Sequence, residues 1–347
     1  MLPRNSIVGF LALFLGTSSV ARSAQSFSDL METMRGFQES RVLLTAVELD
    51  IFTAVGSGAT AEQVSKKLGT NSRATATLMN ALVALGALTK KEGTFHNTPD
   101  TARHLVAGSS GDTRAALMHT VHMFNSWAAL TDCVRAGTAV LPPGVDKQDR
   151  QWTESFIAAM HRGAEGTAAQ IVRTVGVRGV RRLLDIGGGS GAYSIAFAKA
   201  SPELRAEVLD LASVVPIAQR HIDEAGLADR VSTRIGDLTV DEFGRGYDLI
   251  LLSAICHMLD PEQNLDLFRR CFRALTPGGR IVIRDFILEP DKTAPKWVAL
   301  FAVNMLVGTK GGSTYTEAEY RSWLTGAGFQ RFTRIDPTGD LLVATRQ

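Results

Sequence analysis

Glycines at positions 187, 188, 189 and 191 follow directly on Asp185 and Ile186 in the run LLDIGGGSGAYSIAF. An apolar strand that breaks into glycines and resumes with helical spacing makes a turn whose backbone can come close to a ligand. Gly187, Gly189 and Gly191 are spaced G-x-G-x-G, not the G-x-G-x-x-G of dinucleotide sites. Asp185 stands just ahead of the turn, where a carboxylate repels a pyrophosphate but can hold an ammonium group, directly or through water. Two more acids follow later strands. Asp210, at the tip of AEVLD, is placed to accept hydrogen bonds from both hydroxyls of a ribose, as dinucleotide enzymes also arrange. Asp237, after VSTRI, comes within reach of an adenine amino group, with Leu238 beside it to pack on the ring. Each acid alone also reads as a turn former. Their order at successive strand ends suits a ligand with an ammonium, a sulfonium and no phosphate, which is S-adenosylmethionine and not NAD.

With such a ligand as electrophile, the protein must position an acceptor and take its proton. Histidine suits the second task, its unperturbed pKa being about 6.5. Of the seven histidines, His257 follows the fourth strand, YDLILLS, which ends at Ser253. The C-terminal ends of strands are where open α/β sheets bind ligands. The bland alternative is a helix-capping histidine. His119 and His122, three apart with no acid beside them, do not read as a metal site, and none is needed for this chemistry. Trp152, Phe156 and Met160 recur every four residues on one helix face. Such a stripe is more often core than pocket.

The elements that must carry these residues change character along the chain. From residue 181, strand-like runs at 183–186, 206–209, 248–253 and 281–284 alternate with helical patterns. That predicts an α/β, Rossmann-like domain with a largely parallel sheet. Residues 38–107 read instead as helix, helix, helix, hairpin, the order of a winged helix. One helix spans RVLLTAVELDIFTAV. The next has Thr60 as N-cap, Gln63 completing a capping box and Gly69 as stop. A third begins at Asn71 or Ser72, and a hairpin turns at Glu92-Gly93. The third helix carries Arg73 as its one basic residue, too little for a phosphate-reading helix, so the unit is read as a packing or dimerisation module. Residues 112–175 read as helical with a break at Pro142, Pro143 and Gly144.

The chain has 347 residues, 45% hydrophobic and 21% charged, with a formal net charge of +2, which marks no polyanion binder. Cys133, Cys256 and Cys271 form no CxxC pair and suit a reducing compartment. The first 25 residues look like a secretory signal, with Ala21-Arg22-Ser23 as a passable cleavage site. An upstream start codon, with Met31 or Met34 as the working start, is the alternative. Because S-adenosylmethionine is made in the cytoplasm, a cytoplasmic location is expected, with export through residues 1–23 as the other reading.

The motifs AVELDIF, LMNALVALGAL, LLDIGGGSG, LDLASVV, ICHMLD, LTPGGRIVIRD and NMLVGTKGG together resemble class I S-adenosylmethionine-dependent O-methyltransferases. The narrower resemblance is to the caffeate, acetylserotonin and hydroxyneurosporene O-methyltransferases, over residues 38 to 345. After the signal-like or mis-started leader over 1–27, it implies a winged-helix dimerisation domain over 28–110, a helical connector lining the substrate pocket over 111–175 and a methyltransferase domain over 176–347. It implies cofactor contacts at Gly187, Asp210, Asp237, Leu238 and Ser253, although many plant members have Lys at the last. It implies His257 as general base, with Asp285 in place of a family glutamate that orients it, and Trp152, Phe156, Met160 and Met305 lining an apolar pocket. The expected substrate is a hydroxyl of a small aromatic, polycyclic or isoprenoid compound, acted on by a homodimer with no metal, nucleic acid or membrane partner. Two departures remove acids from the family pattern: Met258 follows the base, and Thr314 replaces a second glutamate. N- or C-methylation on the same scaffold, or a non-catalytic cofactor-binding regulator, are the competing readings.

Overall fold

A computed structural model describes residues 25–141, 150–335 and 340–347. The signal-like leader and the Pro142-Pro143-Gly144 break lie outside the described residues. The described chain forms two units that meet between Asn125 and Ser126.

The N-terminal unit begins with α1 (Phe27–Arg35) and α2 (Phe37–Glu48). The helix expected over RVLLTAVELDIFTAV is interrupted. It divides into α2 and α3 (Ile51–Val55) at Asp50, whose φ of 57° is left-handed. Aspartate tolerates that conformation better than most residues, and Asp50 receives a 2.9 Å bond from the Arg114 guanidinium. This partner, 64 residues away, is invisible to local periodicity. α4 (Ala61–Leu68) has the expected capping box between Thr60 and Gln63 and ends at Gly69 with φ 66°. α5 (Ser72–Ala84) starts from Asn71, whose side chain accepts the Ala74 N–H. The hairpin of β1 (Leu88–Lys91) and β2 (Thr94–Asn97) turns through Glu92 and Gly93, both left-handed, as a two-residue hairpin turn of the primed type requires. Ile51, Phe52, Val64, Met79, Leu82 and Phe95 form the core of this unit.

After the hairpin come α6 (Pro99–His104) and α7 (Arg114–Ala128), and in the second unit α8 (Leu130–Ala136), α9 (Arg150–Glu165) and α10 (Ala168–Val175) precede the sheet. Its strands are β3 (Arg182–Ile186), β4 (Arg205–Asp210), β5 (Val231–Ile235), β6 (Tyr247–Ser253), β7 (Leu275–Arg284), β10 (Gln330–Arg334) and β11 (Leu341–Thr345). They lie in the order β10-β11-β7-β6-β3-β4-β5. The pairs from β5 through β7 are parallel, and β11 is antiparallel to β7. Two further short strands, β8 (Ile287–Leu288) and β9 (Tyr315–Thr316), pair in parallel beside it. Helices α11 (Ala192–Ala200), α12 (Val215–Glu224), α13 (Pro261–Ala274), α14 (Lys296–Gly308) and α15 (Glu317–Gly326) complete the unit. Leu183, Leu184, Ile186 and Leu249 to Leu252 are all 0–1% exposed. Strands buried on both faces are why these segments read as unbroken apolar runs. The chain winds outward from β3 through β4 to β5, then back to β6 and β7. That reversal opens a crevice at the C-terminal ends of β3 and its neighbours. No helix among the described residues is long and apolar enough to cross a membrane.

Candidate active site

The glycine-rich turn leaves β3 at Ile186 and enters α11 at Gly191. Gly187, Gly189 and Gly191 all have φ between 57° and 74°, a region that disfavours any side chain bearing Cβ. The Gly187 N–H donates to Leu209 O at 2.7 Å and the Gly191 N–H to Gly188 O at 2.9 Å, which stitches the turn to β4 and to itself. Space is as tight as the dihedrals. A Cβ on Gly187 would overlap the Ile255 side chain, and one on Gly188 would lie 2.8 Å from the Asp185 carboxyl and 2.9 Å from Val208.

Asp185 lies beneath this turn and is wholly buried. Its Oδ2 accepts a 2.8 Å bond from the Ser194 hydroxyl on α11. Its Oδ1 has no hydrogen-bond partner. Burial raises its pKa to about 7, with the nearby charge of Asp210 adding to the effect and the Ser194 bonds opposing it. Asp185 therefore braces β3 against α11 from beneath the turn.

Asp210, at the tip of β4, holds the turn from the other side. Its Oδ2 accepts the Gly189 N–H and its Oδ1 the Leu211 N–H, both at 2.8 Å. Both oxygens are thus fixed at the rim of the crevice. Asp237 is engaged locally. Its Oδ1 accepts from the Thr239 N–H at 2.8 Å and the Thr239 hydroxyl at 2.6 Å, an Asx-type turn that leaves Oδ2 for any other donor. Leu238 packs on the core beside Ile255, 3.6 Å from where a Gly187 Cβ would stand. Ser253, the last residue of β6, is paired with Arg284.

β6 does not run straight on to the histidine. Ala254 takes a left-handed φ of 58°, and its N–H donates to Arg284 O at 2.8 Å. A strained non-glycine residue of this kind costs on the order of 1–3 kcal/mol and persists where surrounding structure enforces it. The bend delivers a 3₁₀ turn, Cys256–Met258, carrying His257. β7 ends at Arg284, so Asp285 lies just past the strand, its N–H bonded to Asp340 O. His257 and Asp285 are 5% and 1% exposed. Asp285 Oδ1 lies 2.6 Å from His257 Nδ1 and 2.8 Å from the Phe286 N–H, while Oδ2 accepts the His257 N–H at 3.1 Å. A carboxylate held by both the ring and the backbone of one histidine fixes that ring's orientation and places its proton on Nδ1. Nε2 is then the nitrogen able to take a proton.

Several parts of this site carry no legible signal in the sequence. Phe286 stacks on the His257 ring at 5.4 Å between centroids, and Phe301 meets it edge-on at 5.0 Å. Trp297 packs on Phe286 at 4.8 Å. A Cβ on Gly312 would collide with the His257 carbonyl oxygen, so the paired glycines after Lys310 let the chain press against the turn that carries His257. Ser190, inside the glycine-rich run, bonds to His161 Nδ1 at 2.8 Å, and His161 stacks on His221. Thr314 donates to Val298 O on α14 and is buried.

The proposed pocket residues are placed less uniformly than their spacing implies. Trp152 stacks on Phe156 at 5.3 Å, and Phe156 packs against Ile157, Val214 and Ile217. Met160 is exposed and Met305 buried. The rings in direct contact with His257 are Phe286 and Phe301 instead. Two cavities, of about 320 and 370 Å³, are lined by none of His257, Asp285 and Asp210.

A doubly wound sheet with a G-x-G-x-G turn after β3 and a buried His–Asp pair past β6 and β7 is the arrangement of a methyltransferase fold. Comparison with known proteins agrees. Residues 127–330 match the model of the O-methyltransferase domain and residues 31–107 that of the O-methyltransferase dimerisation domain. The chain belongs to the O-methyltransferase family and is an S-adenosylmethionine-dependent O-methyltransferase. It is 34% identical over 306 residues to 3-hydroxy-5-methyl-1-naphthoate 3-O-methyltransferase of Streptomyces sahachiroi, covering 86% of this chain and 88% of that one. It is 29% identical over 331 residues to L-tyrosine C(3)-methyltransferase of Streptomyces lavendulae, covering 90% of each. Among solved structures, PigF with S-adenosylhomocysteine superposes with a TM-score of 0.85 at 26% identity, covering 93% of this chain and all of that one.

The residues present fit S-adenosylmethionine on the evidence of the turn itself: a backbone cradle that Cβ atoms would fill, over a buried carboxyl with an orphaned oxygen. An orphaned acceptor suits a cationic ligand or a bridging water and repels a phosphate.

Proposed function

We propose that this enzyme methylates a hydroxyl of a small aromatic, polycyclic or isoprenoid metabolite, with His257 as general base and Asp285 as its orienting partner. The observation that carries the reading is the buried 2.6 Å pair between His257 Nδ1 and Asp285 Oδ1 at the crevice. S-adenosylmethionine, when bound, supplies an electrophilic methyl group on a sulfonium. Gly187, Gly189, Asp210, Asp237, Leu238 and Ser253 would hold it, with Asp185 bracing the turn from below. Asp210 would accept the ribose hydroxyls and Asp237 Oδ2 the adenine amino group. His257 Nε2 accepts the acceptor's proton as its oxygen attacks. Asp285 stabilises the imidazolium that results. Phe286 and Phe301 orient the ring and keep water from it. The naphthoate specificity named for the Streptomyces sahachiroi relative supports an aromatic acceptor here.

The dimerisation-domain match supports a homodimer built on the N-terminal unit. A cytoplasmic location follows from where the methyl donor is made. A second reading, C-methylation, is favoured by the similarity to the tyrosine C-methyltransferase. Both are tested by incubating the protein with methyl-labelled donor and extracts of its host. A labelled product whose methyl carbon resonates as a methoxy group supports the first. A label on nitrogen or carbon overturns it. His257→Gln should lower the O-methylation rate by about 10²–10⁴-fold.

A further inference from the structure

Ser190 supplies the only side chain in the run from Gly187 to Gly191. Glycines let the backbone come close to a ligand, but they are also the residues with the most conformational freedom to lose. A turn built of them keeps one shape only where other groups hold it. Asp210 holds it from β4, through the Gly189 N–H. A second hold comes from α9. Ser190 is 4% exposed, and its Oγ lies 2.8 Å from Nδ1 of His161. One helical turn before His161, Ile157 reaches to 3.8 Å from where a Cβ on Gly189 would stand. Ile157 and His161 thus bring one face of α9 against the turn.

The His161 ring is itself fixed, on its other edge and on one face. Glu165, four residues on along α9, places Oε1 3.2 Å from Nε2. A carboxylate only accepts, so this pairing puts the neutral ring's proton on Nε2 and leaves Nδ1 to accept from the Ser190 hydroxyl. His221, on α12, stacks on the ring with centroids 4.1 Å apart. Burial lowers the His221 pKa and so keeps that ring uncharged against its neighbour. Glu165, His161 and Ser190 have the members of a nucleophilic triad. The hydroxyl is buried, however, and the cavity of about 370 Å³ beside the two histidines is not lined by Ser190. It is placed to hold and not to attack. We propose that His161 is a positioning residue for the methyl donor: it tethers Ser190, keeps the glycine cradle in the shape that receives S-adenosylmethionine, and locks that cradle to α9, the helix that also carries Trp152 and Phe156. The inference rests on the reading of the turn as the donor's seat. Without the tether the empty turn samples other shapes, and affinity falls by the fraction of molecules that hold the right one.

The test is calorimetry of S-adenosylhomocysteine on the full-length protein, with thermal melts to show that each variant is folded. Ser190→Ala and His161→Phe, which keeps the stack on His221, should each weaken binding by about 3- to 10-fold, the worth of one neutral hydrogen bond. Because both remove the same bond, the double variant should bind no more than about 2-fold worse than the weaker single one. His161→Asn, whose amide oxygen can stand where Nδ1 stands, should regain most of the affinity, which a role in stability alone would not give. Losses that multiply in the double variant overturn the inference. So does wild-type affinity in a folded His161→Phe protein, or a His161→Asn protein that binds no better than His161→Phe. His161→Leu takes the place of His161→Phe in the cycle if the latter does not fold. The seat is tested apart, by Asp210→Ala. If that variant binds as the wild type does, the turn does not hold the donor. If it binds poorly while the cycle shows no coupling, the tether alone fails.

Discussion

Replacing Asp285 by Asn probes the site with the least steric change. The carboxylate accepts three hydrogen bonds, and an amide cannot. If the amide oxygen faces His257 Nδ1 and the Phe286 N–H, its NH₂ opposes the His257 backbone N–H, which Oδ2 now satisfies at 3.1 Å. If the amide flips, its NH₂ donates to Nδ1 and drives the ring proton onto Nε2, where no proton can then be taken. In the first case the imidazolium loses one charged hydrogen bond, worth about 1.5–3 kcal/mol, or roughly 10- to 150-fold in rate. In the second the general base is abolished, and the loss approaches the roughly 10²–10⁴-fold of removing the histidine. The expected range for Asp285→Asn is therefore about 10- to 10⁴-fold in single-turnover methyl transfer at neutral pH. S-adenosylhomocysteine affinity by calorimetry should stay within a few-fold, because no cofactor-holding residue touches Asp285. A folded variant transferring methyl at the wild-type rate would refute the role of Asp285. A variant that kept its rate and lost cofactor affinity would place the pair in binding instead.

Asp210→Ala removes the acceptor for the Gly189 and Leu211 N–H groups as well as the proposed ribose contact. Calorimetric affinity for S-adenosylhomocysteine should drop by roughly 2–4 kcal/mol, and undiminished binding would remove Asp210 from the site. Asp185→Asn should change the pH dependence of stability. The folded pKa of Asp185 is raised by burial to about 7, from an ordinary 3.8. Below the lower value both states are protonated and there is no penalty. As pH rises from about 4 to about 7 the unfolded chain ionises first, so the folded state binds the extra proton and loses stability. The full penalty, on the order of 4 kcal/mol, is present above pH 7. The variant should therefore gain on the wild type in denaturant unfolding at pH 8 relative to pH 5. Equal differences at the two pH values would show that Asp185 is not buried in a protonated form.

The glycine turn, the strands around it and the histidine after the fourth strand were legible because each depends on local chemistry. Positive φ favours glycine, a strand buried on both faces demands an apolar run, and capping boxes such as Thr60–Gln63 close within one turn of helix. Asp210 could be placed because the end of a strand is itself a location in an open sheet. Spacing could not reveal that Asp185 faces inward on Ser194, since one residue's register decides which way a strand side chain points. Nor could it reveal Asp50 breaking a helix against Arg114. The rings around His257 come from Phe286, just past β7, and from Phe301, on α14 beyond β8. The pairing of Asp285 with both atoms of His257 spans 28 residues. Local sequence specifies which residues can do chemistry and which elements carry them. Which of them meet is decided by the packing of β6 beside β7 and of α14 and α15 over their ends, because only a closed core brings distant side chains within a hydrogen bond and keeps water out.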